Sequence, residues 1–428
     1  MFILPLVPDA PALPRLAQAR LLASLADTPV VLIQGPRQCG KTTLARTVAG
    51  RAGYAYITFD DDKQVQAARA DPVGYVNQLP PRAVLDEIQR VPEIFTAIKL
   101  AVDQDRQPGR FLLIGATDML LLPKLADSLA GRIEVIRLHP LAQIELRKQD
   151  AFFLDLLFRA EFKPASFERM GVTLAELVVA GGFPAALTRQ STRRRDWYLA
   201  YAHALLQRDV RDLGPIAALD VMQRLLEAAA DHTARLLSVS ELANAVGLAR
   251  PAVRAYLTLL ERVFLVDILP PWHAGPNHRL VKTPKLHLGD TGLAAALLAL
   301  DVPALHANRA RLGQLLKTFV LQALRRQATA QADAIVFSHF RHRDGHEVGI
   351  VLEQGGLLAG IEVTASASVA ADDLGGLRKL AELAGERFAC GVVLYDGEAS
   401  VRFGPRLFAM PVRALWADQP GASFAWRN

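Results

Sequence analysis

Short apolar runs alternate with amphipathic segments through the first third of the chain. Four of these runs, Val30–Ile33, Tyr54–Phe59, Arg82–Leu85 and Phe111–Ile114, have the length and composition of buried strands. Helical segments separate them, and strands that alternate with helices are typical of a parallel sheet covered on both faces. The pattern therefore predicts an α/β domain whose ligands gather at the carboxyl ends of the strands.

After His139–Leu141 the pattern becomes mainly helical. Gly181–Pro184 interrupts this region, and Asp196–Asp209 has the spacing of one amphipathic helix. Ser238–Leu248 predicts a capped helix that ends at a glycine turn, and Ala249–Glu261 predicts a second helix. Two helices joined by a short glycine turn are typical of the helix-turn-helix motif.

This predicted helix-turn-helix has two interpretations. If it reads DNA, Arg250, Arg254 and Tyr256 lie near the start of the second helix, where side chains contact bases. If it is structural, the two helices only pack between domains. The sequence leaves both interpretations open.

The last quarter of the chain has a different pattern. Leu312–Gln327 predicts a helix, and Ala334–Phe340 predicts a strand. Glu347–Glu353 and Gly360–Thr364 follow as a hairpin around a Gly-Gly pair, and Cys390–Tyr395 gives a further strand. These elements predict a small α/β module.

The sequence Gly-Pro-Arg-Gln-Cys-Gly-Lys-Thr-Thr follows the first predicted strand and precedes a helical segment. It satisfies the phosphate-loop pattern G-x-x-x-x-G-K-[ST], in which backbone N–H groups and a helix N-terminus surround a phosphate. We expect Lys41 to neutralise charge on the β- and γ-phosphates of ATP, and Thr42 to hold Mg²⁺. A chance match is the alternative, and the flanking strand and helix argue against it. The predicted ATP-binding residues are Gly35, Pro36, Arg37, Gln38, Cys39, Gly40, Lys41, Thr42 and Thr43.

Two carboxylates end the strand that begins at Arg82. We expect Asp86 to hold Mg²⁺ together with Thr42, and Glu87 to act as the general base that polarises the attacking water. The alternative is that both carboxylates are favourable charge in the first turn of the next helix. A phosphate loop in the same domain favours the catalytic interpretation.

Thr117 and Asp118 follow the last of the four predicted strands, so they lie at the same edge of the predicted sheet. We predict that Thr117 senses the γ-phosphate or the attacking water. The alternative is that both are ordinary loop residues, and for Asp118 we favour it. Asp60–Asp62 is likewise interpreted as a solvated turn.

Composition narrows the class of protein further. The 428 residues suggest about two to four domains, and 51% hydrophobic content supplies packed cores. No apolar run reaches membrane-spanning length and the N-terminus lacks a secretory pattern, so we expect a cytoplasmic protein without membrane association. Two cysteines and ten scattered histidines favour neither a disulfide framework nor a zinc cluster. The net charge of +6 permits contact with nucleic acid, and arginines cluster at Arg193–Arg195, Arg325–Arg326 and Arg341–Arg343.

Further motifs carry a family resemblance. They are Leu85–Glu93, Ser128–Arg132, Gly181–Pro184, Arg208–Val210, Leu269–Trp272 and Lys282–Ala294. With these motifs and its phosphate loop, the chain resembles the prokaryotic AAA-type ATPases that carry a C-terminal domain of unknown function. The resemblance implies an AAA-like ATPase domain, a winged-helix region and a C-terminal module similar to PD-(D/E)XK nucleases. It also implies that Arg132 stands near the nucleotide and senses the γ-phosphate, with a structural salt bridge as the alternative.

The predicted fold class is α/β, with a P-loop AAA-like parallel sheet domain first. A helical and winged-helix region and a small α/β restriction-endonuclease-like domain follow it. The predicted boundaries are 1–147 for the ATPase domain, 148–229 for a helical lid or linker, 230–300 for the winged helix and 301–428 for the nuclease-like domain.

The nuclease-like module departs from the family pattern at the positions that carry its chemistry. Where the family has Glu-Val-Asp, this chain reads Glu-Val-Gly and ends at Gly349, and where the family has Glu-Val-Lys it reads Glu-Val-Thr at Glu362–Thr364. The helix position that is often Glu is Lys317. Such nucleases need carboxylates to hold Mg²⁺ and a lysine beside the attacked phosphate. We therefore predict that the module does not cut nucleic acid and serves in binding or oligomerisation.

Two functions follow from these observations. The first is a Mg²⁺-dependent ATPase whose nucleotide cycle drives conformational change and acts on DNA or a protein partner. The alternative is a nucleotide-gated DNA-binding regulator with negligible turnover, in a stress, defence or toxin–antitoxin setting. The expected cofactors are ATP and Mg²⁺, and the partners considered are duplex DNA through the winged helix and basic patches, a protein, and further copies of the chain.

Overall fold

The computed structural model describes residues 13–118, 129, 131–150, 153–210, 213, 219–273 and 280–417, apart from the side chain of Arg51. The chain divides into two compact units. The first comprises Met1–Leu141 with Arg262–Phe264, and the second comprises Ala142–Glu261 with Leu265–Asn428. Within the described ranges, no helix combines the length and the apolar character needed to cross a membrane.

A parallel sheet forms the core of the first unit. Its described strands are β1 (Val30–Gln34), β2 (Ala55–Thr58), β3 (Ala83–Asp86), β4 (Phe111–Gly115) and β5 (Ile133–Arg137). They lie in the order β2-β3-β4-β1-β5, and all paired neighbours are parallel. The described helices are α1 (Ala17–Asp27), α2 (Lys41–Ala49), α3 (Asp62–Ala70), α4 (Pro72–Asn77) and α5 (Ile94–Gln104).

The sequence of β1 explains how this sheet is covered on both faces. Val30 and Leu32 pack into one apolar cluster, whereas Val31 and Ile33 pack into a second one. Successive side chains of a strand point to opposite faces, so a continuous apolar run is needed where both faces are buried. The prediction of an α/β fold with a parallel sheet is confirmed.

The second unit begins with a mainly helical region. Its described helices are α6 (Gln143–Arg147), α7 (Phe153–Arg159), α8 (Val172–Ala180), α9 (Pro184–Leu187), α10 (Ser191–Leu205), α11 (Leu219–Asp231), α12 (Val239–Val246), α13 (Arg250–Arg262), α14 (Thr291–Leu297) and α15 (Val302–Ala307). A π-helical turn at Leu206–Val210 continues α10. A small antiparallel sheet accompanies them, with β6 (Arg235–Leu236), β7 (Val266–Leu269) and β8 (Lys285–Leu288) in the order β6-β8-β7.

A mixed sheet and two helices complete the described part of the second unit. The elements are α16 (Arg309–Ala328), β9 (Val336–Arg341), β10 (Glu347–Gln354), β11 (Leu357–Val363), α17 (Gly375–Ala384), β12 (Phe388–Tyr395), β13 (Val401–Gly404) and β14 (Leu407–Pro411). The strands lie in the order β13-β14-β12-β11-β10-β9. The predicted hairpin is β10 and β11, and its turn holds Gly355 and Gly356 at φ 56° and 84°, where glycine is favoured. The sequence analysis did not predict β13 and β14.

The predicted pair of helices is present as α12 and α13. The Ser238 hydroxyl accepts the Glu241 N–H at the start of α12, and Gly247 ends that helix with φ 71°. Arg250 and Arg254 are exposed on α13, but Tyr256 is only 7% exposed. The expectation that Tyr256 belongs to a DNA-reading surface is therefore wrong, because its ring packs into the protein.

Two of the family motifs meet at one buried carboxylate. Asp290 precedes α14 and accepts hydrogen bonds from the Gly182 N–H (2.9 Å), the Tyr198 hydroxyl (3.0 Å) and Arg326 (3.2 Å). Gly181 has φ 66°, and a Cβ there would lie 2.1 Å from Asp290 Oδ1. The motifs around Gly181 and Asp290 are thus explained by packing.

Candidate functional site

The phosphate loop connects β1 to α2. A Cβ at Gly35 would lie 2.0 Å from the Leu138 carbonyl oxygen, so glycine is required by this close approach. Gly40 has φ 103° and directly precedes Lys41, the first residue of α2. The loop therefore ends at the N-terminus of a helix, where backbone N–H groups lack helical partners.

The side chain of Lys41 contacts the backbone of this loop. Its Nζ donates to the carbonyl oxygens of Gly35 (2.9 Å) and Pro36 (2.8 Å), and the residue is 6% exposed. The ammonium is held by the backbone that a phosphate would also contact. The loop thus presents a positive charge at the edge of the sheet to which ligands of such folds bind.

Asp86, the last residue of β3, reaches the start of α2. Its Oδ2 accepts the hydroxyls of Thr42 (2.9 Å) and Tyr56 (2.5 Å), and its Oδ1 accepts the Glu87 N–H (2.9 Å). Burial, together with the Asp86 charge, raises the pKa of Tyr56, so its hydroxyl stays a donor. The structure brings together the two predicted metal ligands, Thr42 and Asp86, and adds Tyr56, which the sequence analysis missed.

Glu87 follows Asp86 with a left-handed backbone, φ 57°. Both carboxylate oxygens accept from Arg37 of the phosphate loop, at 3.0 Å each, and Gln89 Nε2 donates to Oε2 at 2.5 Å. Burial raises the pKa of Glu87 and outweighs the opposing effect of Arg37. The proposed base is therefore paired with an arginine of the loop itself.

Thr117 lies two residues beyond the end of β4, which pairs with both β1 and β3. It is 3% exposed, and among the described residues its Oγ1 has no hydrogen-bond partner. The next residue, Asp118, accepts a hydrogen bond from Gln34 Nε2 at 3.0 Å. The structure thus brings Thr117 to the edge that holds the phosphate loop, with a buried hydroxyl available.

The structure does not bring Arg132 to this site. Arg132 immediately precedes β5, and its neighbour Ile133 pairs with Val30 at the start of β1. Gly35 lies five residues further along, which at about 3.3 Å per residue is roughly 17 Å. Arg132 Nε instead contacts Asp103 Oδ1 at 2.5 Å, and that hydrogen bond lowers the pKa of Asp103. The expectation that Arg132 stands beside the nucleotide of its own chain is therefore wrong, and Ser128 of the same motif lies outside the described residues.

Arg15 supports the loop from behind. Its guanidinium donates to the carbonyl oxygens of Cys39 (2.8 Å) and His139 (2.6 Å). The Cys39 side chain is fully buried, so this residue presents only its backbone to a ligand. Nothing in the sequence around Arg15 indicated this role, because the contacts join segments far apart in the chain.

Comparison with known proteins agrees with this geometry. Residues 27–147 match the AAA domain family, residues 172–304 the Domain of unknown function DUF8612, and residues 312–415 the Domain of unknown function DUF4143. Uncharacterized protein Rv2008c of Mycobacterium tuberculosis and Uncharacterized protein Mb2031c of Mycobacterium bovis are each 31% identical over 350 residues, which cover 81% of this chain and 73% of theirs. The chain belongs to their family. Its first unit contains an AAA-type P-loop ATPase domain, which binds nucleotide.

Solved structures resemble the chain more distantly. The Walker-type ATPase PABY2304 of Pyrococcus abyssi has a TM-score of 0.40 and 15% identity, covering 66% of this chain and 94% of that chain. The RuvB Holliday junction branch migration motor of Thermotoga maritima has a TM-score of 0.30 and 18% identity, covering 59% and 89%.

The DUF4143 region brings together the motif positions that sequence analysis singled out. Gly349 N–H donates to Glu362 Oε1 at 2.6 Å, and Lys285 of β8 donates to Glu347 Oε1 at 2.5 Å. Burial raises the pKa of Glu362, although Lys317 and Lys285 oppose this shift. For Glu347 burial is outweighed, and nearby cations hold its pKa below the usual range. Lys285 thus pairs with Glu347, and the sequence analysis had missed Lys285.

Proposed function

We propose that this chain is a Mg²⁺-dependent ATPase whose nucleotide cycle drives conformational change, acting on DNA or a protein partner. The observation that carries the proposal is the convergence of Lys41, Thr42, Asp86 and Glu87 at the carboxyl edge of the sheet. The phosphate loop supplies cationic and N–H donors, and Asp86 with Thr42 supplies the oxygen ligands that Mg²⁺ prefers.

The residues present fit a nucleoside triphosphate with its metal. The backbone of the loop at Gly35 approaches the Leu138 carbonyl oxygen so closely that a Cβ would not fit there. The buried Thr117 hydroxyl, which has no partner among the described residues, supports a sensing role toward the γ-phosphate or the attacking water. Mg²⁺, when bound, neutralises charge on the phosphates.

Glu87 is the residue we assign as general base. A pKa raised by burial suits proton transfer, because a base is most effective when its pKa approaches the working pH. Arg37 donates to both carboxylate oxygens of Glu87, so we expect Glu87 to accept a proton from water once Arg37 leaves it. We assign Arg37 a second role as a phosphate ligand, which couples nucleotide binding to the release of the base.

The test is steady-state ATP hydrolysis by the wild type, Lys41→Ala and Glu87→Gln, with and without Mg²⁺ and duplex DNA. We expect metal-dependent turnover in the wild type and its loss in both variants. Stimulation by DNA would identify DNA as the partner class, and its absence would favour a protein partner. Turnover that survives in both variants would overturn the assignment.

A nucleotide-gated DNA-binding regulator is the second candidate. The order of α11, β6, α12, α13, β7 and β8 supports the proposal of a winged helix. Arg250 and Arg254 are exposed on α13, the helix that would read DNA. On this proposal ATP stabilises one conformation and turnover is negligible. Duplex binding that falls with salt and differs between ATP and ADP, without hydrolysis, would favour the regulator.

We also propose that the DUF4143 region does not cut nucleic acid. Glu362 keeps a carboxylate, but Gly349 and Thr364 supply neither the second carboxylate nor the lysine that the reaction needs. Lys285 Nζ already donates a hydrogen bond to Oε1 of Glu347. Cleavage that depends on Mg²⁺ or Mn²⁺ and disappears in Glu362→Ala would contradict this proposal.

A further inference from the structure

A large cavity opens in the second unit beside the start of α16. Its volume is about 990 Å³, and it lies between α16, the connection from α11 to β6 and the segment after β11. Among the described residues that line it, none is Asp or Glu. The cationic lining residues are Arg169, Arg235, Arg309, Arg311 and Lys317. We call this cavity the basic groove.

Carboxylates behind the groove neutralise only part of this charge. Asp396 is buried and pairs with both Arg309 (3.0 Å) and Arg169 (3.5 Å), whereas Asp231 pairs with Arg311 (2.8 Å). Five cations against these two carboxylates leave a surplus of three positive charges. A surplus of this size in a concave surface attracts a polyanion.

The deeper charges do not remove that surplus. The charge of Lys317 has a lowering effect on the pKa of Glu362 and of Glu347, and these two carboxylates add two negative charges. Lys285 and Arg341 pair with Glu347 and add two positive charges. Asp372, Asp373 and Arg378 line the neighbouring cavity that shares Lys317, and they reduce the net surplus from three positive charges to two.

The N-terminus of α16 adds donors at the same place. Asn308 caps the helix by accepting the Arg311 N–H at 3.0 Å, and residues 308–311 line the groove. A helix of this length carries about half a positive charge at its N-terminus. Helix donors, arginine forks and the hydroxyls of Thr364 and Ser366 suit phosphate oxygens.

The lining also indicates which kind of anion fits. Beside the cations, the groove presents small side chains such as Ala310, Gly313 and Ala365, and none of the described lining residues is aromatic. Aromatic rings are the platforms on which bases stack, and large apolar anchors dominate protein interfaces. The groove lacks both among its described residues, so it suits a repeating phosphate backbone better than a free nucleotide or an acidic protein.

We propose that the basic groove binds the phosphodiester backbone of nucleic acid without reading its bases. This site is separate from the phosphate loop and from the exposed arginines of α13, and it goes beyond the proposed ATPase. It gives the second unit a binding role in which the held strand is not cut.

The test is anisotropy titration of a labelled duplex of about 20 base pairs, and of one of its strands, with the full-length protein at salt between about 50 and about 200 mM. The groove variant is Arg235→Ala/Arg311→Ala. The matched control is Arg147→Ala/Arg159→Ala, which removes two exposed arginines from the same unit outside the groove.

Each lost phosphate contact reduces the salt slope by about 0.9 for duplex and about 0.7 for a single strand. We expect the groove variant to bind at least about tenfold more weakly at low salt, with a slope smaller by about 1–2. The control should stay within about twofold of the wild type. The nucleic acid form that shows the larger loss is the one the groove holds.

A further variant guards against a folding defect. The Arg235 side chain is exposed and makes no hydrogen bond or ion pair within the described structure, so Arg235→Glu should leave the fold intact and weaken binding more than Arg235→Ala. Equal affinity of groove variant and control would overturn the proposal. So would a preference for one base sequence that the groove variant abolishes.

Discussion

The ion pair between Arg37 and Glu87 joins the phosphate loop to the proposed base. Its two hydrogen bonds are 3.0 Å each, and the side chains are 20% and 13% exposed. We expect Arg37→Ala to destabilise the first unit in the absence of nucleotide, because Glu87 is left as a buried carboxylate without its cation.

The size of the effect follows from this geometry. Two unit charges about 4 Å apart attract each other by about 4 kcal/mol at an effective dielectric constant of about 20. Desolvation and the remaining exposure reduce this, since fully exposed pairs contribute only about 0.2–1 kcal/mol. A double-mutant cycle of Arg37→Ala and Glu87→Gln should therefore give a coupling energy of about 1–3 kcal/mol.

The assay must report on the first unit. The first tryptophan of the chain is Trp197, in the second unit, so tryptophan fluorescence is unsuitable. Hydrogen exchange of peptides from β1 and β3, followed by mass spectrometry, measures the opening free energy of the sheet directly. The matched control is the cycle of Arg69 and Glu93, an exposed pair 4.0 Å apart in the same unit, for which we expect under about 0.5 kcal/mol.

The same cycle then tests whether Arg37 changes partner. With a non-hydrolysable ATP analogue and Mg²⁺ bound, the coupling between Arg37 and Glu87 should fall toward that of the control pair. A coupling below about 0.5 kcal/mol without nucleotide would refute the energetic reasoning. A coupling that nucleotide leaves unchanged would refute the exchange of partners.

Three further substitutions have directions that the structure fixes. Tyr56→Phe removes the 2.5 Å hydrogen bond to the carboxylate that ends β3 and should cost the first unit about 1–2 kcal/mol by hydrogen exchange; no loss would contradict that contact. Gly181→Ala places a Cβ 2.1 Å from Asp290 and should cost the second unit about 2–4 kcal/mol in urea unfolding followed by tryptophan fluorescence. Gly345→Ala, also at positive φ but with open space around it, is the control and should cost less. Burial raises the pKa of Glu362 above 4.5, so the free energy of unfolding of the wild type falls as pH rises through the folded pKa. The stability of Glu362→Gln relative to the wild type should therefore increase over that range. A relative stability that decreases instead would contradict the direction of this pKa shift.

Local sequence patterns were sufficient to predict most of the ATPase domain. The phosphate loop, the strand before it and the carboxylates at Asp86 and Glu87 are all continuous in sequence, so periodicity and spacing predicted the sheet and its ligand edge. Thr117 was reached by the same reasoning, because it follows a strand parallel to β1. Where function depends on which end of a parallel strand a residue occupies, sequence is informative.

Contacts between distant segments could not be predicted in this way. Arg132 follows a motif that the family resemblance placed near the nucleotide, but it precedes its strand, so it lies at the opposite edge of the sheet. Tyr56 lies in a strand whose partner was not specified by periodicity, and its contact with Asp86 depends on β2 pairing with β3. Arg15 likewise contacts Cys39 of the loop, 24 residues away in the chain, and His139, 124 residues away.

The C-terminal sheet bears on the proposal that the DUF4143 region does not cut nucleic acid. Gly349 and Thr364 stand where the family resemblance leads us to expect a carboxylate and a lysine. The structure adds that the Gly349 N–H now binds Glu362 and that Lys285, from a different sheet, binds Glu347. A carboxylate held by an internal ammonium cannot also hold a divalent ion well, because both compete for the same lone pairs. On the two proposals made for this unit, the positive surplus of the basic groove suits the binding of an anion rather than the cleavage of a phosphodiester.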